Sequence, residues 1–148
     1  MEYMLLEQLQ QRPLLCDGAM GTLLYARGIP YEQCFDALNI TQPELIQSIH
    51  REYISAGAQI IETNTFGANR ARLEAYHLEE RVREINFRAV KLACEAREIT
   101  GQPVFVAGAV GPSGRPLQAP DEHRLSELRA IFREQIEALL EGGADLLI

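Results

Sequence analysis

No apolar run in the 148 residues approaches the ~20 needed to cross a bilayer, so no membrane span is expected. The opening MEYMLLEQLQQRP has two glutamates and no basic n-region, so it does not read as a signal peptide and a cytoplasmic location is expected. Cysteine is scarce. Cys16, Cys34 and Cys94 are odd in number and far apart, with no C-x-x-C, which argues against a disulfide framework or a zinc knuckle. Each reads more naturally as a small buried hydrophobe than as a ligand. Basic charge is also short. Lys and Arg total 14 against 21 acidic residues, for a formal charge of −7. The basic residues are interspersed with acidic ones, as on solvated helix faces, and no basic stripe is present to hold nucleic acid. There is no G-x-x-x-x-G-K and no G-x-G-x-x-G, which leaves little case for a nucleotide site.

What is present fits one globular domain, residues 1–148. Apolar residues make up 47% and charged residues 24%, and the length is enough to bury a core. One pattern recurs: a short aliphatic stretch, a small or polar end, then an amphipathic helix. The aliphatic stretches begin at Leu14, Ile60, Val104 and Asp145, about 41 to 46 residues apart, a spacing that suits βα units. AGAQII before the second parallels GGADLL before the fourth, and in both a glycine suits the left-handed end of a helix.

The helices are read from their periodicity. After Thr41, predicted as N-cap with Pro43 and Glu44 completing a capping box, Leu45, Ile46, Ile49, Tyr53 and Ile54 share one side. A second helix aligns Val82, Ile85, Ala89, Val90 and Ala93 and ends at Gly101. A third aligns Leu125, Leu128, Phe132, Ile136, Leu139 and Leu140. ANRARLEAYHL reads as a shorter helix. Aliphatic strands alternating with helices imply an α/β fold with a parallel sheet, either doubly wound or a (β/α)8 barrel. A barrel needs about 250 residues, so four βα units amount to the first half of one. The chain is expected to be truncated within the fourth strand, with open sheet edges and an uncovered apolar interior through which two copies could associate.

In parallel α/β folds chemistry sits at the C-terminal strand ends. Past the first aliphatic stretch come Asp17, Gly18 and Ala19; past the second, Glu62, Thr63, Asn64 and Thr65; past the third, GAVGPSGRP. All three ends are rich in glycine and polar residues, which lets backbone approach a small ligand. Asp17 could hold an ammonium, act as a base, ligate a metal or simply cap the turn. Glu62, Asn64 and Thr65 could bind a ligand or belong to a buried network. His50 and His77 lie on polar helical stretches and His123 at a helix start, away from any strand end, so a catalytic histidine is not expected. Tyr25, Tyr31 and Phe35 could line a pocket or pack under a loop.

Jointly, LLCDGAMGTLLYARG, GAQIIETNTFGANRARL, VAGAVGPSG and FREQIEALLEGGADLLI resemble the homocysteine-binding domain of the homocysteine S-methyltransferases, in order and across nearly the whole chain. Cobalamin-dependent methionine synthases and bacterial fusions to methylenetetrahydrofolate reductase look most similar. The resemblance implies a (β/α)8 barrel binding homocysteine as a zinc-bound thiolate and methylating it to methionine. The donor would be methyltetrahydrofolate or methylcobalamin; relatives also use S-methylmethionine and betaine. By motif match Asp17 would hold the substrate amino group, Gly18 and Ala19 would offer backbone contacts, and the ETNTF segment, with Glu62, Thr63 and Asn64, and the GPSG segment would shape the mouth.

The resemblance also implies what these residues do not supply. The family's zinc ligands are cysteines of the second half of the barrel, and a partner glutamate follows the fourth strand. Two other readings remain: a half-barrel that self-associates without chemistry, and a barrel enzyme acting on another small substrate. On the methyltransferase reading, zinc added to this chain gives no tight stoichiometric complex and no methyl transfer. A titration showing such a complex, lost when all three cysteines are replaced, would refute that expectation.

Overall fold

The computed structural model describes residues 2–115 and 121–148; Pro116, the last residue of the third strand-end segment, lies outside them. Three strands are formed, β1 (Ile60–Glu62), β2 (Phe105–Gly108) and β3 (Leu146–Leu147), parallel and in the order β1-β2-β3. The Leu14 stretch adds an edge through a parallel bridge, Cys16 to Ile60. Gln59 N–H and Ile60 N–H donate to Leu15 O, and Asp17 N–H donates to Ile60 O. The four aliphatic stretches therefore lie side by side in chain order. That is the order of a barrel wall, without the reversal that marks a doubly wound sheet. The chain folds as a parallel α/β partial barrel.

The helices are α1 (Glu2–Gln11), α2 (Met20–Ala26), α3 (Leu38–Thr41), α4 (Pro43–Ser55), α5 (Arg70–Leu73), α6 (Val82–Thr100) and α7 (Glu122–Gly142). Alternate strand residues face opposite sides. Ile61 and Val106 face outward and pack with Ile54 of α4, Val90, Ala93 and Ala96 of α6, and Leu139 of α7. Ile60, Phe105 and Ala107 face inward beside Leu14, Cys16 and Leu146. The interior is not left uncovered as expected. Leu5 of α1 packs on these inward residues and leaves Ile60, Phe105 and Ala107 buried. At the two flanks of the sheet the side chains of Leu15 and Ile148 are 58% and 52% exposed. Among the described residues no helix is long and apolar enough to cross a membrane.

Two helix expectations are corrected. Thr41 does not cap α4; it ends α3, and its hydroxyl donates back to Ala37 O. The N-cap is Gln42, at φ −140° and ψ 57°, with no side-chain cap bond. Pro43 forces this break, because a residue before proline is pushed out of the helical region. On α7 the buried face is Leu128, Ile131, Gln135, Ala138, Leu139 and Gly142, whereas Leu140 is 53% exposed and Leu125, Phe132 and Ile136 are half-buried. The face is turned by close approach and by polarity. A Cβ on Gly142 would sit 2.8 Å from Val90 Cβ on α6. Gln135 is drawn inward because its amide donates to Thr65 O at 2.8 Å and Asn86 Oδ1 at 3.3 Å.

His50 is likewise not on a polar surface. It is fully buried on α4, and neither ring nitrogen has a hydrogen-bond partner among the described residues. Burial lowers its pKa from 6.5 to about 4. The unfolded chain therefore takes up this proton first as pH falls, so the stability His50 contributes above about pH 6.5 is lost between there and about pH 4. Replacing His50→Leu should remove that loss. In urea unfolding at a series of pH values, the variant gains on the parent as pH falls from 7.5 to 4.5, by at most about 1.4 kcal/mol per pH unit.

Candidate functional site

The strand tips open into a cleft of about 630 Å³. The first tip lines it from Asp17 to Gly21, the second from Glu62 to Gly67, and the third through Ala109. Tyr31, Phe35 and Asp36 come from the loop between α2 and α3, and Arg72 and Tyr76 from α5 and the turn after it. Tyr31 and Phe35 thus take the pocket role left open for them, with Tyr31 stacked on Tyr25 at 4.1 Å between centroids. The fourth aliphatic stretch stands beside β2. It extends the sheet, with Val110 N–H donating to Ile148 O and Ile148 N–H to Gly108 O.

Asp17 follows directly on the edge bridge, half-buried, and its Oδ2 accepts the Glu62 N–H at 3.0 Å. Burial raises its pKa to about 6, the Glu62 charge adds to the rise, and the Glu62 N–H bond opposes it. The turn after Asp17 is clamped from behind by α4. Tyr53 Oη donates to Ala19 O at 2.9 Å, and a Cβ on Gly18 would come within 3.0 Å of the same oxygen. Gly18 and Ala19 are exposed on the cleft side.

The second tip is mostly committed to structure. The Thr63 and Thr65 hydroxyls bond each other at 2.6 Å; Thr65 Oγ1 donates to Ala109 O, and Ala109 N–H donates to Thr63 Oγ1. Asn64 Nδ2 donates to Phe35 O at 2.8 Å, and Asn39 Nδ2 donates to Asn64 O at 2.7 Å. Of the expected residues, Asp17, Gly18, Ala19 and Glu62 present groups to the cleft, while Thr63 and Asn64 line it with side chains already bonded. GPSG acts from outside the cleft: a Cβ on Gly111 would lie 2.2 Å from Phe66 O, so this glycine lets the third tip press on the second.

Three participants were not among the expected site residues. Cys16 sits among the inward residues, and its thiol lies 3.6 Å from both Asp17 Oδ1 and Glu62 Oε1. Asp36 accepts the Gly67 N–H at 3.0 Å. Burial raises its pKa to about 6, against the Gly67 bond and the Arg72 charge. Arg72 is the one cation among the described residues lining the cleft. Strand-tip logic could have found Cys16, one residue before Asp17, but neither of the other two.

The thiols do not converge. Cys16 lies in the inward cluster, Cys34 packs with Leu73 and Ile85, and Cys94 packs on the outer cluster. The one grouping among the described residues with metal-ligand chemistry is Cys16, Asp17 and Glu62, with ligand atoms within 4.8 Å of one another. A zinc thiolate needs a thiol that sheds its proton readily. Cys16 has the opposite environment: burial and the two carboxylates push it up to about 12. Among the described residues one thiol, Cys16, reaches the strand tips, so they do not fit a zinc centre built from several cysteines.

A model of the family described as Homocysteine S-methyltransferase matches residues 14–148. The chain belongs to the homocysteine S-methyltransferase family. It is 36% identical over 97% of its length to Methionine synthase from Mycobacterium tuberculosis and 35% identical to that from Mycobacterium leprae, covering 13% of each. Among solved structures, the homocysteine methyltransferase MmuM from Escherichia coli superposes with a TM-score of 0.81 in its oxidized and metallated forms, at 35% and 34% identity. The chain spans about half the length of those structures, 53% and 55%. The barrel-wall order of the strands and the ordered matches at their tips agree with this membership.

Asp17 also sets a stability balance. Its folded pKa is raised, so the folded state prefers the protonated acid; the stability this gives is complete below pH 3.8 and lost as pH rises through about 6. Asp17→Asn should therefore raise the thermal midpoint at pH 7.5 and by less at pH 4.5, measured by calorimetry at both.

Proposed function

We propose that this chain forms the substrate-holding part of a methyltransferase domain that moves a methyl group onto the thiolate of homocysteine, giving methionine. The observation that carries this reading is the acidic cleft floor. Asp17 and Glu62 stand together at adjacent strand tips, where a buried carboxylate with a raised pKa gains from a substrate ammonium. The ammonium would bind Asp17, with Glu62 adding negative field. Glycine and alanine at 18 and 19 let the substrate approach the backbone closely, and Tyr53 fixes that turn. The packed Thr63–Thr65–Ala109 junction closes the floor behind the substrate.

In the reaction, the thiolate sulfur forms a bond to the methyl carbon as the donor's bond to that carbon breaks, the donor keeping the electron pair. Methyltetrahydrofolate or methylcobalamin is the donor this reading names. Zinc supplies thiol acidification when bound; its thiolate ligands, like the remaining strands, are assigned to the part of the domain that the relatives possess beyond the matched span. On this reading residues 1–148 are one half of the domain and hold the amino acid end of the substrate, with no methyl transfer of their own.

Isothermal titration of this chain with L-homocysteine tests the reading. Binding is expected at pH 7.5, weakened about ten- to a hundredfold by Asp17→Asn, the scale of a hydrogen bond to a charged group. Absence of binding, or binding indifferent to Asp17, would overturn it.

A further inference from the structure

Phe66 stands at the cleft mouth, 60% exposed, on a turn with little regular structure to hold it. Two contacts fix its position. On one side Gly111 abuts its carbonyl and ring, since a Cβ there would meet Phe66 O at 2.2 Å and ring atoms at 2.9 Å. On the other side Asp36 Oδ1 accepts the next amide, Gly67 N–H, at 3.0 Å. Asp36 Oδ2 packs so closely on Gly67 that a Cβ would lie 2.7 Å away, with Arg72 Nε 3.5 Å from the same point. The loop bearing Asp36 is itself tied to the tip by Asn64 bonding Phe35 O and Asn39 bonding Asn64 O.

We propose that Asp36 is a positioning residue of the cleft: by gripping the Gly67 amide it sets where the Phe66 ring stands, and so how closely the mouth shuts over a bound amino acid. The inference rests on the homocysteine reading for the identity of that amino acid. The grip on Gly67 can be measured without any ligand. Asp36 needs no contact with substrate to act. Its lever is the backbone at 66–67, the end of the segment that begins with Glu62. An acceptor is what the Gly67 N–H requires, so asparagine at this position keeps the grip and alanine releases it.

The experiment compares Asp36→Ala and Asp36→Asn with the parent chain, with melting curves confirming that each variant folds. Amide exchange by NMR reads the grip. Gly67 exchange should accelerate about tenfold or more in Asp36→Ala and stay within about threefold in Asp36→Asn, with core amides of α6 such as Ala89 and Val90 unchanged. Homocysteine titration reads the consequence: about tenfold weaker binding for Asp36→Ala, restored by Asp36→Asn. Unchanged Gly67 exchange in Asp36→Ala would overturn the proposal. So would unchanged affinity in Asp36→Ala alongside a loss in Asp17→Asn, and that result leaves the homocysteine reading standing. A parent chain that binds no homocysteine sinks the homocysteine reading instead, and Gly67 exchange still decides the grip. Should Asp36→Ala fail to fold, Asp36→Leu, similar in shape and without an acceptor, serves the same comparison.

Discussion

The segment from Glu62 to Asn69 is an irregular piece of backbone at the centre of the molecule, and the site depends on the bonds its polar groups make to distant parts of the chain. Thr63 and Thr65 bond each other and Ala109; Asn64 bonds Phe35; Gly67 bonds Asp36. The Ala68 carbonyl accepts from Asn86, and Asn69 reaches Pro112. Gln135, three helices away in sequence, reaches in to the Thr65 carbonyl. A buried polar group left unpaired costs about 1–3 kcal/mol, so a network of this kind is held together or lost together. Its partners come from the α2–α3 loop, α6, the loop after β2 and α7, which is why the strand tips keep their relative positions although the strands are two to four residues long.

The same packing that orders the tips makes their electrostatics unfavourable. Asp17, Glu62 and the Cys16 thiol share one small volume, and both Asp17 and Asp36 are held above their ordinary carboxylate range chiefly by burial. Among the described lining residues one cation, Arg72, answers three carboxylates. A protein built only for stability would not keep such an arrangement; a site that receives a cationic group has a use for it.

Much of this was legible in the sequence because it is set locally. The aliphatic runs at residues 60, 104 and 145 pair in parallel, and the glycines at 57, 101 and 143 take positive φ where the helices end. Asp17 and Glu62 fall at the tips because a strand's exit is fixed by its own hydrophobic run. What was not legible depends on partners distant in the chain. Gln135 is polar on a helix and reads as outward until its acceptor at Thr65 is known. His50 reads as solvated until α4 is seen packed within the core. Asp36 lies in a loop whose role comes entirely from a turn 31 residues away. Helix α1 is fixed by a surface distant in the chain as well: its Leu5 packs on the inward face made by Ile60, Phe105 and Ala107.

Asp145 stands just ahead of β3. Its carboxylate, 5% exposed, accepts the Val106 N–H at 2.9 Å and pairs with Arg97 at 2.8 Å. The last strand is thus indexed to its neighbour by a side chain just before its first paired residue. Alignment of this strand therefore rests on a side-chain peg as well as on its two ladder residues. A strand pegged in this way can be short and still hold its neighbour's tip in register.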